Sequence, residues 1–229
     1  MKFTEGYWLL SERTNGQFAS QAYHIEAMEN GLRVVAPTSP VLSRGDTLNR
    51  PTITIEFLAV SPEVISVRAW HYEGYRTGEA RFEKKETTCD AVVTITEHEA
   101  VLDAGHVSVH VDRKNWGYSF WADGKLLTSS GFHNLGYVRW DRSVSSMLPQ
   151  DNYMKEHEYT PYMTQDLLLA PGENVYGFGE RFTAFVKNGQ VVETWNEDGG
   201  TASQVAYKNI PFYMTNRGYG VFVDHTGNV

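Results

Sequence analysis

Apolar residues recur at every second position in short runs along this chain, and nowhere at the i, i+3, i+4, i+7 spacing of an amphipathic helix over three turns. The clearest run is Thr52-Ile53-Thr54-Ile55-Glu56-Phe57-Leu58-Ala59-Val60, directly after Pro51. Its β-branched and aromatic residues first alternate with polar ones, as in a strand with one buried face. Residues 64–72, 91–96, 100–103, 107–111, 118–122 and 125–128 repeat the pattern. Asp123-Gly124 between the last two is a two-residue hairpin signal. Asn30-Gly31, Ser61-Pro62, Asp103-Ala104-Gly105 and Asn188-Gly189 read as further turns. Strand-like runs about every 10 residues are the spacing of a sandwich or barrel, so the expected fold class is all-β. Residues 139–164 are poor in aliphatics and read as a long surface connection within one domain spanning 1–229.

At 229 residues, 41% hydrophobic and 13% aromatic, the chain can bury a core of its own. A net charge of −8 with no basic stripe argues against nucleic acid as a partner. No window approaches the ~20 apolar residues of a membrane helix. The apolar run from Tyr7 to Leu10 falls short of a signal peptide's core of roughly 7–15 residues. Cys89, the single cysteine, has no intrachain disulfide partner. With these absences it points to a cytoplasmic location.

Chemistry-bearing motifs are sparse. His106 and His110 share a strand face but stand about 13 Å apart at ~3.3 Å per residue, too far to hold one metal between them. His24, His71, His98, His133, His157 and His225 lack ligand spacing, so neither a metal nor a cofactor is expected. Gly177-Phe178-Gly179-Glu180-Arg181-Phe182 lacks the third glycine and the βαβ context of a dinucleotide fingerprint. There is no Gly-x-Ser-x-Gly elbow, and Cys89 has no histidine nearer in sequence than His98. Glu180, Glu193, Glu197 and Asp198 could serve as an acid and base pair only at separations the sequence does not set.

The last third holds the most specific text: Tyr176-Gly177-Phe178-Gly179-Glu180-Arg181-Phe182, then Trp195-Asn196-Glu197-Asp198-Gly199-Gly200-Thr201, then Tyr207-Lys208-Asn209-Ile210-Pro211-Phe212-Tyr213-Met214-Thr215-Asn216-Arg217-Gly218-Tyr219-Gly220. This run closely resembles the N-terminal domain of glycoside hydrolase family 31, in its bacterial α-xylosidase branch. MKFTEGYWLL and Asn134-Leu135-Gly136-Tyr137-Val138 extend the resemblance more loosely.

The resemblance implies an antiparallel, galactose-mutarotase-like β-sandwich, expected to lack its last strands. It implies a parent enzyme that is a retaining α-glycosidase whose (β/α)₈ barrel carries the catalytic carboxylates. A barrel takes roughly 250 residues, so no catalytic residue is expected here, and the isolated chain should be inactive. The family's loop over the barrel mouth matches Trp195 to Thr201. Asp198, Gly199, Gly200 and Trp195 are therefore the candidate substrate-contacting residues. A carboxylate accepts from sugar hydroxyls and glycines admit close approach. From the residues alone, Asp198 reads equally as a turn-stabilising aspartate and Trp195 as a packed strand residue. Glu180 and Arg181 read as a structural ion pair or an interface pair. Phe182, Phe185, Tyr207, Phe212 and Tyr213 read as core or interface aromatics.

Implied partners are an oligosaccharide substrate, the enzyme's own barrel, and a second copy through an open sheet edge. The rival expectation is a free-standing carbohydrate-binding or interaction sandwich.

Overall fold

The computed structural model describes residues 4–5, 9–48, 50–72, 89–141, 159–197, 199–200, 204–225, 227 and 229. In chain order the strands are β1 (Thr4–Glu5), β2 (Leu9–Leu10), β3 (Thr14–Phe18), β4 (His24–Met28), β5 (Gly31–Pro37), β6 (Thr52–Ser61), β7 (Val64–Trp70), β8 (Val92–Ile95) and β9 (Glu99–Asp103). They continue with β10 (Val107–Asp112), β11 (Gly117–Ala122), β12 (Lys125–Ser130), β13 (Leu135–Asp141), β14 (Tyr159–Gln165), β15 (Val175–Gly177), β16 (Phe212–Thr215) and β17 (Gly220–Phe222). All strand pairs are antiparallel. Among the described residues the helical content is one 3₁₀ turn at Arg44–Thr47, and no helix is long and apolar enough to cross a membrane. The expected all-β class holds.

The chain divides into two compact units. The larger, whose described residues run from 4 to 168, contains the sheets β4-β5-β6-β7 and β12-β11-β10-β9-β8, with the smaller sheets β14-β13-β3 and β1-β2. Its core is where the two large sheets meet. Leu32, Val34 and Ala36 of β5, Ile53, Ile55 and Phe57 of β6, Ala100 and Leu102 of β9, and Val109 and Val111 of β10 are all fully buried. These positions are the odd or even members of their strands, as a pleat with one inward face requires. Phe57 lies edge-on to Tyr118 of β11, with ring centroids 5.2 Å apart. On the opposite face of the first sheet Arg33 stands directly across from both Glu26 and Glu56. It donates to Glu26 at 2.6 Å and to Glu56 at 2.8 and 2.6 Å. The two carboxylates hold its guanidinium pKa above the ordinary value, Glu56 contributing most.

Two turns form one residue away from where the sequence suggests. The β4–β5 turn is Glu29-Asn30, with Met28 opposite Gly31, so Gly31 already belongs to the strand. A Cβ there would stand 2.3 Å from the Phe57 carbonyl oxygen, so the glycine is required by close strand approach rather than by the turn. Likewise Ser61 pairs with Val64, leaving Pro62-Glu63 as the turn. Asp123-Gly124 is placed as expected, with both residues at positive φ (48° and 75°), the geometry of a type I′ hairpin.

The expected connection at 139–164 is corrected at both ends. Residues 139–141 close β13, and 159–164 belong to β14, which pairs with β13 from Leu135↔Gln165 to Asp141↔Tyr159. Alternation there is carried by Tyr, Trp, Thr and Met rather than aliphatics, which made the strands hard to read. Residues 142–158 lie outside the described residues.

The smaller unit, Leu169–Val229 in its described part, is built on the sheet β15-β16-β17. The Asn188-Gly189 turn is tied back to this sheet. Asn188 accepts from Val175 N at 2.8 Å and donates to Glu173 O at 2.8 Å.

Candidate functional site

The glycines of the Tyr176–Phe182 segment bring it against residues 208–213. Gly177 has φ +120°, and a Cβ on it would stand 2.7 Å from Phe212 O. Gly179 has φ +80°, and a Cβ on it would stand 2.2 Å from Lys208 O and 2.8 Å from Ile210 N. Both positions require glycine twice over, for conformation and for space. Between them Phe178 also takes positive φ (68°) and donates its N–H to Phe212 O at 2.9 Å, while Glu180 N donates to Lys208 O at 3.1 Å. A non-glycine residue held there costs of order 1 kcal/mol, sustained by the hydrogen bonds on either side.

This close approach carries Arg181 to the base of the 195–206 segment. Its Nε donates to Phe178 O at 3.2 Å, Nη1 to Gln204 O at 3.1 Å, and Nη2 to Glu193 O at 2.6 Å and to Asn209 Oδ1. Burial lowers the guanidinium pKa, with nearby Glu193 acting in the opposite sense. The expected Glu180–Arg181 ion pair does not form. Glu180 pairs instead with Lys208 at 3.3 Å in an exposed position, where such a contact contributes little. Residues 180 and 181 point their side chains to different surroundings, and Arg181's fork geometry is satisfied by several carbonyls at once.

Asn209 is the second junction. Its Nδ2 donates to Trp195 O at 2.7 Å, Ala206 O at 2.6 Å and Asn196 Oδ1 at 3.0 Å, and its backbone N–H donates to Asn196 Oδ1 at 3.1 Å. Asn196 and Ala206 form a parallel bridge, and Glu197 N donates to Ala206 O at 3.1 Å. The loop that leaves at Trp195 and returns at Ala206 is therefore closed at its neck.

Of the four candidate substrate residues, Asp198 lies outside the described residues. Trp195 is 50% exposed and outside any strand, so the packed-strand reading fails; its backbone carbonyl, rather than its ring, is what the fold holds. Gly199 is half-buried and Gly200 exposed. A Cβ at Gly200 would meet nothing described within 4 Å, and its φ is not left-handed. Glu193 and Glu197 are also exposed.

Phe182, Phe185 and Tyr207 are 66%, 79% and 63% exposed, against the core reading. Tyr213 is the exception: burial, then Glu173, raises its hydroxyl pKa. Beside the loop lies an open cleft of about 320 Å³, lined among others by Trp195, Asn196, Asn209, Pro211 and His225. His225 Nδ1 accepts the Gly227 N–H at 3.0 Å, which leaves Nε2 carrying the proton of the neutral ring. Among the described residues no group of three or more His, Cys, Asp or Glu side chains could hold a metal ion.

Sequence reasoning missed Asn209 and His225 and gave Arg181 the wrong partner. The Tyr207–Gly220 run that contains Asn209 was the available signal, but its acceptors lie elsewhere in the chain.

Comparison with known proteins agrees with this architecture. The family model described as the glycosyl hydrolase 31 N-terminal galactose mutarotase-like domain matches residues 53–229. The α-xylosidase XylQ of Lactiplantibacillus pentosus is 37% identical over an alignment that covers all of this chain and 28% of that protein. An α-xylosidase of Emericella nidulans is 35% identical, covering all of this chain and 30% of that protein. The chain thus spans about three-tenths of the length of the curated relatives it matches.

Among solved structures, the cycloalternan-forming enzyme of Listeria monocytogenes in complex with a pentasaccharide superposes with a TM-score of 0.66 at 14% identity. That match covers 92% of this chain and 18% of that one. A family 31 α-xylosidase of Xanthomonas citri gives a TM-score of 0.61 at 15% identity, covering 89% and 19%. At such identities the likeness establishes the fold alone. With the family match extending over most of the chain, this protein belongs to the glycosyl hydrolase 31 N-terminal galactose mutarotase-like domain family.

Proposed function

We propose that the chain is the N-terminal β-sandwich of a retaining α-glycosidase acting on α-xylosides, such as xyloglucan-derived oligosaccharides. The observation that carries this reading is its likeness, over its whole length, to two α-xylosidases. Catalytic carboxylates belong to a barrel in the longer enzyme, and this domain supplies a docking face for that barrel together with the 195–201 loop at the rim of the substrate pocket. Asp198 accepts hydrogen bonds from sugar hydroxyls, Gly199 and Gly200 let the backbone come close, and Trp195 offers an exposed ring edge.

The state of Gly200 supports the rim role. Gly200 is exposed, and nothing described lies within 4 Å of where its Cβ would stand, which leaves its backbone open to a ligand. Exposed Phe182, Phe185 and Tyr207 fit a face that packs against another domain. A cytoplasmic setting for the enzyme is in keeping with the single cysteine of this chain. β17, at the edge of its sheet, is the surface through which copies would pair, and a concentration-independent monomer in light scattering would count against it.

Kinetics on an aryl α-xyloside test the reading. The isolated chain should show no turnover. In the enzyme that carries this domain, Asp198→Ala should raise KM by about tenfold or more, the value of one charge-assisted hydrogen bond. Unchanged kinetics would remove the loop from the pocket.

A further inference from the structure

In the loop between Trp195 and Ala206 most of the described residues are exposed. Asn196, Glu197 and Gly200 are exposed, and Ala206 is the buried residue at its return. Arg181 and Asn209 reach it from elsewhere in the unit. Arg181 donates to Glu193 O just before the loop and to Gln204 O on its returning arm, and Asn209 to Trp195 O and Ala206 O at the neck. Arg181 also donates to Asn209 Oδ1, so the two side chains act as one unit spanning both arms.

Asn209 has its amide oxygen and amide N–H groups engaged within the protein. Arg181 uses Nε, Nη1 and Nη2 in the same way. Groups with most of their donors so engaged are poorly suited to recognise a sugar directly, and well suited to hold a segment that does. A loop ordered before the ligand arrives does not draw on binding energy to become ordered.

We propose that Arg181 and Asn209 are positioning residues, a clasp that holds the two arms of the 195–206 loop together at its neck and thereby sets affinity for the sugar the loop meets. This rests on the reading that the loop contacts substrate. Lysine cannot replace Arg181 here, because a point ammonium does not reproduce a planar fork that reaches carbonyls on two arms. Asn209→Asp keeps the acceptor for Arg181 while removing the donors to Trp195 and Ala206, so it loosens the neck without creating a cavity.

Amide hydrogen exchange on the chain, with Arg181→Lys and Asn209→Asp, gives the first readout. Amides of residues 194–206 should exchange about tenfold faster or more, while those of β5, β6 and β10 and the denaturation midpoint stay unchanged. In the enzyme that carries this domain, the same variants should raise KM for an aryl α-xyloside about tenfold with kcat within about threefold. Unchanged loop exchange in both variants overturns the clasp, and so does faster exchange with unaltered KM. Asp198→Ala separates the two ideas. If it raises KM while the clasp variants do not, the clasp falls and the pocket reading stands; if neither Asp198→Ala nor the clasp variants alter KM, the pocket reading falls and takes the affinity role with it.

Discussion

A side chain at Gly179 would have its Cβ 2.2 Å from the carbonyl oxygen of Lys208, at a backbone φ of +80°. Gly189 shares the left-handed conformation, φ +74°, but a Cβ there meets nothing within 4 Å. The pair separates strain from clash. Gly189→Ala should cost about 1 kcal/mol, the penalty of positive φ alone. Gly179→Ala should cost at least about 2–3 kcal/mol more, because backbone rather than a flexible side-chain tip must move. Chemical denaturation followed by a probe in the smaller unit measures both.

Phe57, fully buried where the two large sheets meet, touches the rings of Tyr118 and Phe120. Phe57→Ala should lower the stability of the larger unit by about 3–5 kcal/mol through lost transfer energy and the cavity left behind. Phe57→Leu should cost clearly less. Urea titrations with an unchanged m-value would confirm that the loss is in stability itself.

Asn134 is 1% exposed and accepts from Trp116 Nε1 at 2.9 Å while donating to Ser130 O at 3.0 Å. Asn134→Ala leaves an indole N–H and a carbonyl without these partners inside the larger unit. The expected cost is about 2–4 kcal/mol, with two buried groups unsatisfied. A midpoint shift below about 0.5 kcal/mol would mean that water enters and replaces the amide.

Burial pushes the Tyr118 hydroxyl pKa up to about 12, with hydrogen bonds to Ser130 and Gln165 acting in the opposite sense and Asp166 adding to the rise. The unfolded chain ionises this tyrosine near 10, so over that interval the unfolded state releases the proton first. The stabilising difference is fully present below about pH 10 and is lost as pH rises toward 12, about 2–3 kcal/mol in all. Tyr118→Phe should therefore flatten the fall in stability between pH 10 and 12 measured by denaturation at fixed temperature.

The interior faces of β6, β9 and β10 were legible because burial on a strand repeats every second residue, a one-dimensional signal. β5 carries the same alternation, Leu32, Val34 and Ala36 inward and Arg33 outward. There the Asn30-Gly31 pair imitates a turn, because the sequence does not reveal that Gly31 is needed for contact with Phe57 O. The end of β13 and all of β14 were obscured because Arg139-Trp140-Asp141 and Tyr159 to Thr164 lack aliphatics such as the buried Leu135 and Val138 at the start of β13. In the smaller unit the close approach of Gly177 and Gly179 to residues 208–213 was not legible, because the segment they approach lies elsewhere in the chain.

The sequence by itself determined an all-β chain, most of its hairpins in the larger unit, the alternating strands β6, β9 and β10 that supply part of its main core, and its family, since each rests on local period or on a run of identities. Tertiary structure alone decided the partners of Arg181 and Asn209 and the closed neck of the 195–206 loop. The reason is physical: most of the acceptors involved are backbone carbonyls, which every residue possesses. A contact to a carbonyl twelve or more residues away leaves no mark on the identity of the residue that provides it.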